Sequence, residues 1–271
     1  MKLAVIVGIV SIITKVIMVA CTKERVIMEE ITHGERPDVK TILKAVIHNK
    51  YWIMVTIMLC AGSAIQTGTA SVASYYAQYV LGDPSLVGTL LSAFLLPPIA
   101  GFLLAGILMQ KFSRKPVLVA AVIIGMAGAL ISIISNGSFT AMLAGLACRG
   151  FGYSMIMGVG NSMASDTVEY GHWKTGVRTQ GVLMSGKGLG DKLSVGLLTG
   201  IIGWVMGAAG YDGTLAVQPA SAVSAINGLF LYTPVILLII IAVFLYFYDL
   251  DKHYPKIMKE LEQRERGLKK E

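Results

Sequence analysis

About seven long apolar runs dominate this sequence of 271 residues. A helix needs about 20 residues to cross the hydrocarbon core of a bilayer, and strands would leave their backbone groups unpaired in lipid. Only 14% of the residues are charged, whereas soluble domains contain about a quarter. The sequence therefore predicts an all-α membrane protein with about seven transmembrane helices, called spans 1 to 7 below. In chain order they cover residues 3–21, 51–80, 86–109, 117–135, 139–164, 181–206 and 228–248.

The lysine and arginine residues are unevenly distributed among the connections between these spans. They cluster in every second connection, at residues 22–50, 110–116 and 165–180, and in the C-terminal tail, whereas the other connections have none. Cytoplasmic loops carry this excess of basic residues, so we expect a multi-pass protein of the plasma or inner membrane with a cytoplasmic C-terminus. The net charge of +7 then reflects topology, and no nucleic-acid partner is expected.

The chain is predicted to consist of one helix, a loop, a bundle and a tail. Residues 1–22 could be a signal peptide, but Lys15 interrupts the apolar run and favours a retained transmembrane helix. Residues 23–50 form a cytoplasmic loop, residues 51–248 a bundle of six helices, and residues 249–271 a basic, solvated cytoplasmic tail. The cysteines stand singly, so neither a zinc site nor a disulfide framework is predicted.

Lys192 is the most informative charged residue within the spans. It lies eleven residues into span 6, about 16 Å deep, where an unpaired ammonium group is costly. Lys187 and Asp191 are four residues apart and can pair, whereas Lys192 points about 140° away from Lys187. Asp191 is the only acidic residue within the spans. Lys192 therefore needs a carboxylate from outside them, or it must lose its proton.

A charged segment, residues 166–178, connects spans 5 and 6. It could be an ordinary solvated loop, or a charge latch that holds helix ends together in one conformation of a transporter. Aromatic residues and a glycine among the charges favour the latch. The candidate gating residues are Asp166, Glu169, Tyr170, Gly171, Trp173, Lys174 and Arg178.

Polar and aromatic residues in spans 2 and 5 are candidates for a substrate cavity. Tyr75 and Tyr76 could stack on a sugar or belong to an interfacial aromatic belt. Arg149 lies about 15 Å into span 5, where it could line a cavity or anchor a neighbouring helix through carbonyls. The run from Gly181 to Gly188 is close to a phosphate-binding loop, but it lacks the final Ser or Thr and a preceding strand. We expect no enzymatic site.

The segment DTVEYGHWKTGVR resembles the motif D-x-V-[DE]-Y-G-x-[WY]-K-x-x-x-R of the glycoside–pentoside–hexuronide:cation symporters. The spacing from Asp166 to Lys192 and the stretches TKER, YYAQYVLGD and KFSRKP also resemble that family. The resemblance implies the C-terminal half of a major facilitator fold plus the preceding helix, with span 1 as helix six. Met157 is a further candidate for the substrate cavity. It stands where the family's melibiose permease has a tryptophan, so this position offers no ring for sugar stacking.

This resemblance implies symport of a sugar or glycoside with Na⁺ or H⁺ by alternating access, and no other cofactor. Lys192 would lie at the cation site, facing acidic residues that the family's N-terminal half supplies. The sequence has no counterpart of those acids, in agreement with the missing partner inferred from charge alone. We therefore expect a missing N-terminal transporter half to be a partner, together with the bilayer.

Two other classes of function compete with the transporter. A light-sensing or receptor protein with seven helices would carry retinal on a lysine of its last helix, and span 7 has no lysine. A membrane partner or sensor would bind a ligand without moving it across the membrane. Ligand binding without uptake, in the presence of a matched N-terminal half, would favour this last class.

Overall fold

The computed structural model of the chain describes residues 11–18, 21, 48–135, 138–176, 180–215 and 217–268. The chain divides into two units, Met1–Pro37 and Asp38–Glu271. In the first unit, residues 11–18 are helical and expose their side chains. Most of predicted span 1 and nearly all of the predicted loop at residues 23–50 lie outside the described residues.

The second unit is built from α-helices. Its described residues contain no strand. A π-helical turn, Tyr76–Val80, continues the first helix, and a 3₁₀ turn, Pro84–Leu86, precedes the second. The α-helices are α1 (Lys50–Tyr75), α2 (Val87–Leu95), α3 (Pro98–Lys111), α4 (Arg114–Ile134), α5 (Phe139–Thr175), α6 (Gln180–Ala208), α7 (Ala220–Leu231), α8 (Thr233–Phe247) and α9 (Leu250–Leu268).

These helices make six segments that are long and apolar enough to cross a membrane. They are α1 with its π-helical turn, α2 with α3, α4, α5, α6, and α7 with α8. They coincide with predicted spans 2 to 7, and the predicted all-α membrane fold is confirmed. The last segment begins at Ala220 instead of residue 228, because small apolar residues extend the helix into the predicted connection.

Two of the segments are interrupted at prolines. The first break separates α2 from α3 at Pro97 and Pro98, which lie in the middle of predicted span 3, because proline has no backbone N–H and its ring disturbs the preceding turn. The second break lies at Tyr232, between α7 and α8, and is followed by Pro234. We did not predict it from the sequence, where span 7 reads as one continuous apolar run.

Helix α5 corrects the predicted boundary of span 5. Its 37 residues continue through the charged stretch as far as Thr175, so residues 166–175 are helical and not a loop. The helix ends at Gly176, whose φ of 70° is the left-handed conformation that glycine adopts most easily. Helical geometry continues because the charged side chains find partners on neighbouring elements.

Helix α5 is also the centre of the bundle, packed against α1, α2, α3 and α4. Glycines bring α4 and α5 close enough for backbone contact. A Cβ added at Gly152 would lie 2.6 Å from the backbone nitrogen of Gly125. Small residues are the usual means by which membrane helices approach closely, because lipid provides no hydrophobic driving force between them.

Helix α6 lies at the outside of this half. Within it only Leu183, Leu198, Ile202 and Met206 are buried. Leu183 packs with Val168 of α5 and Trp52 of α1, and the helix as a whole contacts α1 and α7. Its other face carries large exposed apolar side chains, including Trp204, which is 75% exposed. Helix α6 therefore presents a long face to lipid or to other protein.

Candidate functional site

Helices α1 and α4 begin, and helices α5 and α8 end, at the same end of the bundle, which is called the basic end below. An ion pair joins α4 to α5 there. Arg114 Nε lies 2.8 Å from Asp166 Oδ2 and also donates to Ser162 Oγ at 2.9 Å. The Asp166 side chain is only 4% exposed. Tyr254 of α9 completes the group, with its hydroxyl on Asp166 and its ring 5.3 Å from the guanidinium of Arg114.

Tyr254 serves this carboxylate as a hydrogen-bond donor. Burial raises the pKa of Tyr254 to about 12, and the neighbouring Asp166 carboxylate contributes to this rise. The phenol therefore keeps its proton at physiological pH. Asp166 thus has two donors, Arg114 and Tyr254, from two different helices.

Helix α9 packs against α5, which corrects the prediction of a solvated tail. Trp173 Nε1 donates to Glu260 Oε2 at 2.7 Å, and Arg264 Nη1 donates to the carbonyl of Trp173 at 3.1 Å. Ile257 and Leu261, one helical turn apart, are buried. The tail therefore has an apolar face directed at the bundle, with polar contacts beside it.

The start of α1 is tied to the end of α8 at the same place. Tyr51 donates to Asp249 Oδ1 at 2.5 Å, and its ring meets that of Tyr170 edge-on at 4.8 Å. The hydrogen bond from Tyr51 holds the pKa of Asp249 below its usual value. Close by, the backbone N–H of Lys115 donates to Asp251 at 2.7 Å. The basic end is therefore joined across α1, α4, α5, α8 and α9.

Gly171 allows the segment before α1 to approach α5. A Cβ at this position would lie 3.1 Å from Asn49 Nδ2, which donates to the carbonyl of Thr167 at 2.8 Å. Asn49 also caps α1 through its side chain. One asparagine thus starts α1 and fixes it to α5, and the lack of a side chain at Gly171 leaves room for it.

The remaining residues of the predicted latch have different surroundings. Lys174 Nζ is exposed, 3.4 Å from the carbonyl of His48 and 5.7 Å from the ring centroid of Tyr170. Glu169 is half-buried on α5. Arg178 lies outside the described residues. The gating role of these residues remains a prediction, although the structure does gather most of them at the basic end.

Lys192 is exposed on α6 and has no hydrogen bond or ion pair with any described residue. Lys187 faces a different direction, as helical geometry predicts. Its ammonium lies 2.6 Å from Asn161 Oδ1 and 3.9 Å from Asp191 Oδ2. Asp191 also accepts a hydrogen bond from Ser63 at 3.3 Å. The one acidic residue of the spans is therefore engaged by Lys187 and Ser63, not by Lys192.

The candidate cavity residues do not converge on one pocket. Tyr75 is half-buried, with its ring 5.4 Å edge-on from Tyr211, whereas Tyr76 is buried and stacked on Phe230 at 4.2 Å. Met157 is half-buried on α5. A role for these residues in substrate binding remains a prediction, and the burial of Tyr76 weighs against direct contact.

Arg149 is enclosed by the bundle, with 1% of its surface exposed. Its guanidinium donates to the carbonyl of Phe230 and to the hydroxyl of Thr69. Of the two interpretations the sequence left open, this geometry favours anchoring of a neighbouring helix through a carbonyl. Within the described part of the chain, Arg149 forms no ion pair.

Sequence reasoning missed two polar residues of α5, Tyr153 and Asn161. Tyr153 donates to Gln66 at 2.8 Å, and both Gln66 and Asn161 are exposed. Polar side chains two turns apart in an apolar helix were the available signal for Tyr153 and Asn161. Within the described ranges, no three His, Cys, Asp or Glu residues are grouped so as to hold a metal ion.

The membrane helices surround a central helix, and two of the membrane segments are broken. Discontinuous helices with polar and charged residues beside them are typical of secondary transporters. The sequence profile of the MFS/sugar transport protein family matches residues 1–252, and the chain belongs to this family.

Several curated relatives are transporters by name. The putative 2,3-dihydroxypropane-1-sulfonate exporter of Salmonella typhimurium is 29% identical over 90% of this chain and 54% of its own length. The isoprimeverose transporter of Lactiplantibacillus pentosus is 27% identical, over 96% of this chain and 54% of its own length. The inner membrane symporter YicJ of Escherichia coli is 25% identical, over 96% and 57%. The chain therefore spans about half the length of these relatives.

Proposed function

We propose that this chain forms the C-terminal part of a sugar:cation symporter of the cell membrane and works by alternating access with an N-terminal half. The single observation that carries this proposal is the exposed ammonium of Lys192 on a membrane-spanning helix, which has no partner among the residues that the structure describes. Such a group is costly in lipid, so it favours a facing protein surface with carboxylates. The family match and the half-length coverage of the relatives are consistent with the same missing surface.

In this proposal Lys192 acts at the site of the coupling cation. Its positive charge balances the facing carboxylates when Na⁺ or H⁺ is absent, and the cation competes with it when bound. The substrate is a sugar or a small polyhydroxylated derivative, since the names of relatives include an isoprimeverose transporter and a 2,3-dihydroxypropane-1-sulfonate exporter. Tyr75, Met157 and Gln66 are the candidates to contact it on this half.

The basic end faces the cytoplasm in this proposal, because Lys and Arg residues concentrate there. Its ion pair and hydrogen bonds hold the cytoplasmic ends of α4, α5, α8 and α9 together while the cavity opens to the other side. Breaking these contacts accompanies opening to the cytoplasm, so Asp166, Trp173 and Lys174 serve as a latch.

A test of Lys192 expresses this chain together with the N-terminal half of the isoprimeverose transporter and measures cation-driven uptake of isoprimeverose. We expect Lys192→Ala to reduce cation-driven accumulation at least about tenfold. This corresponds to a loss of about 1.4 kcal/mol or more in coupling free energy. The matched control is Lys259→Ala, an exposed lysine of α9. Full accumulation with Lys192→Ala, or equal uptake by this chain alone, would contradict the proposal.

Trp173→Phe tests whether α9 is held by the side-chain hydrogen bond to Glu260. Phenylalanine keeps a ring but removes the Nε1–H donor, so Glu260 loses a partner worth about 1 kcal/mol. We expect tryptic cleavage at Lys256 and Lys259 of α9 to speed up about fivefold under native conditions. The control is Trp204→Phe on the exposed face of α6, and equal cleavage rates in both variants would show that the bond does not hold the tail.

A further inference from the structure

The guanidinium of Arg149 lies between two aromatic rings in the interior of this half. Its carbon is 5.6 Å from the ring centroid of Phe94 and 5.4 Å from that of Phe230. Nη1 donates to the carbonyl of Phe230 at 3.3 Å, and Nη2 donates to Thr69 Oγ1 at 3.2 Å. Ring faces and uncharged acceptors thus surround a cation that has no ion pair among the described residues.

The carbonyl of Phe230 lacks its usual helical hydrogen-bond donor, because of the residue four positions further along the chain. In a continuous helix the N–H of residue 234 would donate to it, but residue 234 is proline and has no N–H. Phe230 is 1% exposed, so water does not replace this donor from the surface. A buried carbonyl without a donor is costly, and Arg149 supplies the donor.

The other side of the guanidinium is fixed by Thr69 of α1. The Thr69 hydroxyl donates its proton to the carbonyl of Ile65 at 2.8 Å, which leaves its oxygen free to accept from Arg149. Arg149 itself belongs to α5. One side chain therefore connects α1, α5 and the break between α7 and α8.

We propose that Arg149 is a positioning residue: it replaces the backbone donor that Pro234 removes and so fixes the break between α7 and α8 against α1 and α5. This role needs donors at the guanidinium nitrogens and does not need contact with substrate. It explains a buried cation that forms no ion pair with any described residue and is 1% exposed. The proposal stands whether or not this chain transports sugar.

The test is a double-mutant cycle of Arg149→Met and Pro234→Ala in the full chain, purified in detergent and followed by thermal unfolding. Arg149→Met leaves the Phe230 carbonyl without a donor, and we expect the apparent Tm to fall by about 5–10 °C. In the double variant the backbone N–H of the alanine introduced by Pro234→Ala can donate to that carbonyl. We therefore expect the double variant to recover at least half of the lost Tm.

Pro116→Ala is the matched control for removing a proline. Pro116 is exposed in the first turn of α4, where an added N–H has no orphan helical carbonyl to satisfy. Combined with Arg149→Met, it should recover nothing. Arg149→Met by itself could yield no folded protein. In that case, folded protein from the double variant supports the proposal. The proposal is overturned if the double variant also yields no folded protein while Pro234→Ala alone folds.

A distance measured across the break distinguishes a specific effect of Arg149 on the geometry of the break from a general loss of packing. Nitroxide labels at Ser224→Cys and Val243→Cys, both exposed and on opposite sides of the break, report its geometry in a background without native cysteines. We expect a narrow distance distribution with Arg149, a broad one with Arg149→Met, and a narrow one again in the double variant. An unchanged distribution with Arg149→Met, or additive Tm losses in the cycle, would overturn the proposal.

Discussion

Replacing Gly152 with alanine is expected to remove most of the folded protein obtained in detergent. The added Cβ would lie 2.6 Å from the nitrogen and 2.8 Å from the Cα of Gly125. It would also lie 2.8 Å from the carbonyl oxygen of Ala121. These are all backbone atoms, so only separation of α4 from α5 can relieve the clash. We expect a cost of about 3 kcal/mol or more, seen as a loss of the monodisperse peak or a large fall in Tm.

Gly196→Ala is the control for this substitution. Gly196 is also helical, but a Cβ there has no neighbour within 4 Å. Alanine has the higher helix propensity, so we expect Gly196→Ala to leave stability unchanged or to raise it by up to about 1 kcal/mol. If Gly152→Ala and Gly196→Ala melt at the same temperature, α4 and α5 do not pack as closely as the structure shows.

The second large loss of stability is expected at the ion pair of the basic end. This loss should differ between substitution of Arg114 and substitution of Asp166. Arg114→Gln leaves the Asp166 carboxylate buried with Tyr254 as its remaining donor, whereas Asp166→Asn leaves an arginine that is 32% exposed and can reach water. Removing one partner of a buried pair costs about 3–5 kcal/mol. We therefore expect Arg114→Gln to lower the Tm more than Asp166→Asn does.

A double variant and an exposed pair complete this experiment. Arg114→Gln combined with Asp166→Asn restores two uncharged partners, so its Tm should exceed that of Arg114→Gln alone. The control is Lys256→Gln, which removes a pair 3.8 Å long whose lysine side chain is 80% exposed, and we expect a change of about 0.5 kcal/mol or less. Equal losses for Arg114→Gln and Lys256→Gln would show that burial does not strengthen the first pair.

The sequence predicted spans 2 to 7 well because membrane crossing depends on local composition. A run of about 20 apolar residues specifies a spanning helix without reference to its neighbours. The break at Pro97 and the divergent directions of Lys187 and Lys192 were predictable for the same reason, since a missing N–H and a fixed rotation per residue are properties of the helix itself. The engagement of Asp191 by Lys187 also follows from a spacing of four.

The predicted ends of the elements were less accurate where distant residues decide them. Residues 166–175 have a loop-like composition, yet they stay helical because Asp166 is neutralised from α4 and Trp173 bonds to α9. The tail has the composition of a solvated helix, but its contacts with α5 bury one face. Composition alone does not show which charged groups pair with one another in the folded chain.

The sequence by itself determined the class of fold and the positions of spans 2 to 7, because hydropathy and helical periodicity act along the chain. It also predicted a lysine in span 6 that lacks a partner, and none is found for Lys192 among the described residues. Only the tertiary structure decided what Arg149 does. Its partners, Thr69 and Phe230, lie about 80 residues away on either side in sequence. A buried cation is defined by the atoms around it, and these become neighbours only when the helices pack.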